Sequence, residues 1–173
     1  MKRGIAMKKK IIGLVIICFL ISASVCFGEE GATTEEVYAK VMDAVMVLTN
    51  LGEEGVEAFK DPEGEFVWKD ALVAIVDCEK GMCIAHPNLK ISNTNVRDYK
   101  CKKTGVAIFG SLCQEAGAKG KWVEYWVPKS QTDQRLFRKI TFAVRIKGTP
   151  YLVMSGIFND SISIEELNSK VNN

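Results

Sequence analysis

Histidine occurs once in the 173 residues and proline four times. A lone histidine, His86, cannot serve a multi-histidine metal centre. Missing too are Gly-x-Ser-x-Gly, a glycine-rich phosphate loop and His-Glu-x-x-His, so the chemistries that those motifs position have no local signature here. No Cys-x-x-Cys redox pair is present. The chain also lacks repeats and low-complexity tracts, which excludes solenoids and disordered arrays.

Neither sign of charge dominates: 23 basic residues face 21 acidic ones, a net charge of +2. Five of the basic residues, Lys2, Arg3, Lys8, Lys9 and Lys10, precede the apolar run from Ile11 to Ile21, and small residues follow at Ser22, Ala23, Ser24 and Gly28. That order is a secretory signal over residues 1–28, with cleavage expected near Gly28. The apolar run is shorter than the roughly 20 residues a bilayer span needs, and retention as an uncleaved anchor is the minor alternative. Val25 before Cys26 argues against lipidation, because the position before an acylated cysteine is small. Without the segment, 18 basic and 21 acidic residues remain, a net charge of −3. A mildly acidic domain has no basic patch to release counterions from nucleic acid, so no nucleic-acid partner is expected. The domain is expected to be periplasmic or secreted.

Cys78, Cys83, Cys101 and Cys113 lie beyond the signal. In an oxidising compartment four cysteines allow three disulfide pairings. Local pairing is expected, Cys78 with Cys83 and Cys101 with Cys113, since the first two bracket a hairpin turn. A metal or haem site on Cys78-x4-Cys83-x2-His86 fails on its own terms: haem attachment needs histidine directly after the second cysteine, and zinc needs a fourth ligand. No metal or cofactor is expected.

Along the chain, Thr33 and Glu36 have capping-box spacing, and Val37, Val41, Val45 and Leu48 then recur as one face of a helix starting near Thr34. Gly52 and Gly55 break or kink it, with one more turn through Phe59. Residues 72–76 and 82–85 read as a β-hairpin about Glu79-Lys80-Gly81. Residues 88–104 are a polar connection, 106–118 a second helix, and 122–127, 136–146 and 151–158 three further strands. The fold class is α+β, in the element order of a PAS-like sensor domain. The acid pair Glu165-Glu166 reads as solvated turn or tail sequence.

Taken together, Gly55-Val56-Glu57-Ala58-Phe59, Gly64-Glu65-Phe66-Val67-Trp68-Lys69-Asp70, Ala85-His86-Pro87, Gly120 to Lys129, Lys139-Ile140-Thr141-Phe142 and Gly156-Ile157-Phe158 resemble a Cache domain of the small single-module type. The resemblance runs from about residue 34 to 160. It implies a PAS-like Cache fold, a long N-terminal helix packed on an antiparallel sheet of about five strands, with a small-molecule pocket on the other face. The corresponding segments are 29–62 for the helical part, 63–160 for sheet and pocket and 161–173 for a C-terminal tail. It implies an extracytoplasmic sensor of small metabolites, often short carboxylates. The family's pattern has tyrosine where Phe142 stands, which implies one fewer hydroxyl for the ligand.

Alternation on strand 136–146 puts Ile140, Phe142, Val144 and Ile146 under the first helix and leaves Lys139 and Thr141 on the pocket side. Lys139 is the candidate partner for a ligand carboxylate, and His86 a candidate pH-sensitive donor. Trp122 is expected in the core, and Trp126, Tyr125 and Trp68 as aromatic pocket residues. With no kinase, methyl-accepting or cyclase sequence in it, the chain is expected to act as a stand-alone binding module. It would pass ligand occupancy to a membrane-bound sensor or transporter partner, with the N-terminal helix as a homodimer surface. The alternative is a structural or interaction protein of the cell envelope whose pocket is filled by its own side chains.

Overall fold

Thr33 starts the first helix by a reciprocal exchange: its hydroxyl accepts from the Glu36 amide at 3.2 Å, and its own amide donates to the Glu36 carboxylate at 2.9 Å. In the computed structural model, which describes residues 31–130 and 132–172, this capping box opens α1 (Thr34–Leu51). The proposed signal, residues 1–28, lies outside the described residues. Val37, Val41, Ala44 and Leu48 are the buried stripe of α1. Ala44 takes the place expected of Val45, because a 3.6-residue turn cannot keep a strict four-residue repeat; Val45 packs at the flank. A 3₁₀ helix, Gly52–Phe59, follows and delivers Val56 and Phe59 to the same core, where Phe59 meets Phe66 with ring centroids 4.3 Å apart.

The strands are β1 (Val67–Trp68), β2 (Ala71–Asp77), β3 (Met82–Ala85), β4 (Thr94–Asn95), β5 (Lys121–Val127), β6 (Phe137–Arg145) and β7 (Tyr151–Phe158). They form one antiparallel sheet in the order β4-β3-β2-β7-β6-β5, with β1 paired to β2. Five strands coincide with those expected, and β1 and β4 are two-residue additions. The β2–β3 turn is built on Asp77, buried at 2% exposure, whose carboxylate accepts from the amides of Glu79 and Lys80. Gly81 closes that turn at φ 68°, a backbone region that favours glycine.

The central strands β2, β6 and β7 each have two buried faces. Val73, Ile75, Ile140, Phe142, Val144, Val153 and Ile157 pack under α1 together with Trp122. The opposite face, with Ala74, Val76, Ala143, Leu152 and Met154, is covered by α2 (Ile108–Glu115) and the segment 86–107. Each Å² of apolar area that this burial removes from water contributes on the order of 25 cal/mol. After β7, α3 (Ile164–Asn172) stands where a tail was expected; Ser163 accepts from the Glu166 amide, so Glu165 and Glu166 belong to its first turn. Leu167 reaches the core beneath α1. The Asn168 side chain accepts from the Trp122 amide at 2.8 Å and donates to the Trp122 carbonyl at 2.9 Å, occupying the free edge of β5.

The cysteine pairing differs from expectation: Cys78 is bonded to Cys113 of α2, while Cys83 and Cys101 are free and buried. The β2–β3 register sets Cys83 opposite Val76, two residues short of Cys78, so the local bridge has no geometry. Cys78 instead meets α2 as it docks on the sheet. The bridge closes a separation of 35 residues that contains the whole segment 86–107. Replacing both bridging cysteines, Cys78→Ser with Cys113→Ser, is expected to lower the unfolding free energy by roughly 2–4 kcal/mol in urea. Peptide mapping of the unreduced protein should recover a Cys78–Cys113 linkage, and recovery of Cys78–Cys83 would contradict this pairing.

Candidate functional site

On the side of the sheet away from α1 lies a cavity of about 470 Å³, within the size range of small-ligand pockets. Its floor follows from strand register. Tyr125, Lys139 and Phe158 stand side by side across β5, β6 and β7, Thr141 and Gly156 form the next facing pair, and beyond them Met154 of β7 and Ala74 of β2 reach the cavity. The segment 86–99 supplies the opposing wall with His86, Lys90, Ile91, Val96 and Tyr99, and α2 contributes Phe109.

Lys139 is held there because its neighbours Ile140 and Phe142 belong to the core under α1. Burial pushes its pKa down, a shift that the more distant Asp70 carboxylate opposes. Lys90 and Lys129 join it in the lining, which contains no aspartate or glutamate. Among the described residues, none of the three lysines has a carboxylate within ion-pair distance. The Lys139 and Lys129 ammonium groups instead lie over the Phe158 ring, 5.4 and 5.2 Å from its centroid.

His86 ends β3, and its Nδ1 accepts from the Asn88 amide at 2.9 Å, which places the proton of the neutral ring on Nε2. Burial and then the charge of Lys139 lower its pKa, so the free protein holds a neutral imidazole with one donor to offer. The Tyr125 hydroxyl and Thr141 Oγ1 are hydrogen-bonded at 2.9 Å, both buried. Burial pushes the Tyr125 phenol up to about 12, so it stays protonated. Gly156 bares the floor beside them: a Cβ there would stand 2.4 Å from Thr141 Oγ1 and 2.3 Å from the Ile140 carbonyl.

The structure therefore brings together Lys139, His86, Thr141 and Tyr125, four of the six residues expected at a ligand site. It does not bring Trp126 or Trp68 there. Trp126 stands on the edge strand, where its ring lies beneath the Lys103 ammonium at 4.0 Å and packs against the apolar cluster beneath α2 without lining the cavity. Trp68 packs against the core under α1, on the other face of the sheet. Phe142 is also on that face, stacked with Tyr38 and Trp122, so its lack of a hydroxyl takes nothing from the cavity. Lys90, Lys129 and Phe158 escaped the sequence reading. Phe158 had a usable signal, since it ends the last strand on the same alternation; the two lysines lie in connections with no periodicity.

A second cavity of about 340 Å³ lies between α2, β5 and α3 and shares Tyr125 with the first. Its charges are already matched, Lys121 with Glu115 at 2.6 Å and Glu124 with Arg138. Cys101 faces it; burial raises its pKa, but the Thr104 hydroxyl and the amides of Trp126, Thr104 and Lys103 outweigh that and bring the thiol down to about 7. Cys83, in the main cavity, is pushed by burial up to about 11 and behaves as a small apolar group.

No curated protein matches this chain by sequence. Among solved structures, a methyl-accepting chemotaxis protein from Vibrio parahaemolyticus is similar at a TM-score of 0.56 and 18% identity, over 75% of this chain and 90% of that one. A Cache chemosensory domain, described for its recognition of carboxylic acids, matches at 0.56 and 19%, over 73% and 92%. The periplasmic sensor domain of a chemotaxis protein matches at 0.51 and 15%, over 73% and 90%. A family model described as the Cache domain covers residues 53–163, from the 3₁₀ helix to the start of α3 and so across the whole cavity floor: the chain belongs to the Cache domain family of ligand-sensing modules.

Proposed function

We propose that the cavity binds a small organic acid, its carboxylate anchored by the Lys139 ammonium and assisted by the His86 Nε2–H, with the Tyr125–Thr141 hydroxyl pair completing the polar end. The observation that carries this reading is the charge asymmetry of the lining: three lysines and a histidine without one acidic residue. A half-buried ammonium lacking a counter-ion is costly, and a bound carboxylate offsets that cost through a charge-assisted hydrogen bond. The carboxylic-acid recognition described for one structural neighbour supports the same class. An open cavity of about 470 Å³ also weighs against an envelope protein whose pocket its own side chains fill.

In this reading the domain works outside the cytoplasm, where the neighbouring chemotaxis sensor domain is periplasmic. Among the described residues no helix is long and apolar enough to cross a membrane. Occupancy is passed to a membrane-bound sensor or transporter partner, and α1 is the element for that contact or for a homodimer. It packs on β6 and β7 opposite the cavity and carries Tyr38, Met46 and Leu51 exposed.

Lys139→Met is expected to weaken carboxylate binding by roughly ten- to a hundredfold, the equivalent of about 1.5–3 kcal/mol for a hydrogen bond to a charged group. The free variant should melt no lower than the parent, because a desolvated charge has been removed. Unchanged affinity by calorimetry would remove the anchor from this reading.

The pH dependence follows from His86, whose pKa in the free protein is lowered. A bound anion raises it, so binding takes up a proton between the two values. Affinity should therefore strengthen as pH falls below about 6.5, level off once the free protein's His86 is itself protonated, and decline where the ligand carboxyl protonates. His86→Gln should flatten that rise, and a parent protein whose affinity is constant between pH 5.5 and 8 would rule His86 out of the site.

A further inference from the structure

The polar groups occupy only one end of the cavity floor. Lys139 lies with Tyr125 and Phe158 in one row, and the Thr141–Gly156 pair follows. Beyond them the floor is Met154 and Ala74, at the register position of Ala143, four residues along β6 from Lys139 and about 13 Å away at the usual strand rise. Val96 and Phe109 stand over that far end. Ala143 and Met154 belong to the apolar cluster beneath α2, and Ala74, Val96 and Phe109 pack with it. Thr94 and Asn95 also line the cavity there, but Thr94 Oγ1 donates to the Ile91 carbonyl and Asn95 Oδ1 accepts from the Arg97 amide. An acid of two or three carbons held at Lys139 would leave the apolar length solvated by water whose polar partners are already engaged.

Resting on the proposed carboxylate reading, we infer that the ligand is a monocarboxylic acid with an extended apolar body, aliphatic of about six or more carbons or aromatic. Its carboxylate sits at Lys139 and its body runs along the floor toward Ala74 and Met154. The thioether of Met154 and the ring of Phe109 suit this end to a body of variable shape, since methionine adapts its packing and aromatic rings stack. The small side chain of Ala74 is the specificity element, because it keeps the far end open.

The test is titration calorimetry of the full-length protein at pH 7 with acetate, butyrate, hexanoate, octanoate and phenylacetate, with adipate and hexanol as controls. Affinity should rise about three- to fourfold for each methylene buried from butyrate to hexanoate. Phenylacetate should exceed acetate by at least tenfold. Adipate, which carries a second charge into the apolar end, should bind more weakly than hexanoate. Affinity that peaks at acetate and falls with length would overturn the inference while leaving the carboxylate reading intact; so would adipate binding more tightly than hexanoate. Failure of every acid, or hexanol binding as well as hexanoate, would overturn the carboxylate reading itself and the inference with it. Ala74→Leu should abolish the gain from hexanoate and phenylacetate while acetate affinity stays within twofold. Retention of the full gain in that variant, with its fold intact by circular dichroism, would place the body elsewhere. The chain-length series in the unaltered protein decides the matter should the variant fail to fold.

Discussion

Everything on the cavity side depends on β6 being held from behind. Ile140, Phe142 and Val144 are sunk into the core under α1, and the pleat leaves their neighbours no choice but to face the other way. Lys139 therefore cannot swing its backbone toward solvent without lifting three large apolar side chains from the helix. Apolar burial on one face positions a charge on the other, and the same alternation lays Thr141 and Ala143 in line behind it. The helix thus contributes to recognition without touching the site.

The consequence is a site of unlike ends. Where Lys139, His86 and the two hydroxyls converge, hydrogen-bond capacity is plentiful and counter-charge is missing; a few steps along the same strands the floor turns to the hydrocarbon of Ala74 and the thioether of Met154. The opposing wall is of a different kind. Segment 86–107 has little regular structure, yet it is tied down at intervals: the Asn93 amide donates to the Cys83 carbonyl, the Val96 amide to the Gly81 carbonyl, and the Cys101 and Val106 backbones pair. A wall built from irregular backbone can move more cheaply than the sheet opposite it, as regions with few buried contacts generally do. Its far end is covalently anchored where Cys113 joins Cys78.

Much of the scaffold was legible before any coordinates. The capping box at Thr33, the hairpin about Gly81 and the last strand from Tyr151 to Phe158 rest on local chemistry, and local chemistry can be read from neighbours in sequence. So could the sidedness of β6, since Ile140 and Phe142 have only one reasonable destination. What escaped depends on docking. Which cysteine Cys78 meets is decided by where α2 lands on the sheet. Trp126 lies on the edge strand, and its ring settles beneath Lys103 and against the cluster beneath α2, a position decided by where the segment around residues 101–104 docks. Lys90 and Lys129 sit in connections whose path is set by contacts distant in sequence.

The amide side chain of Asn168 imitates one peptide unit of a neighbouring strand, taking and giving a single hydrogen bond at Trp122. The sheet thereby acquires a border that belongs to the chain itself. Further along, Cys101 and Lys102 meet the amide and carbonyl of Trp126 in the same way, so little of that edge is left open to a strand from another copy.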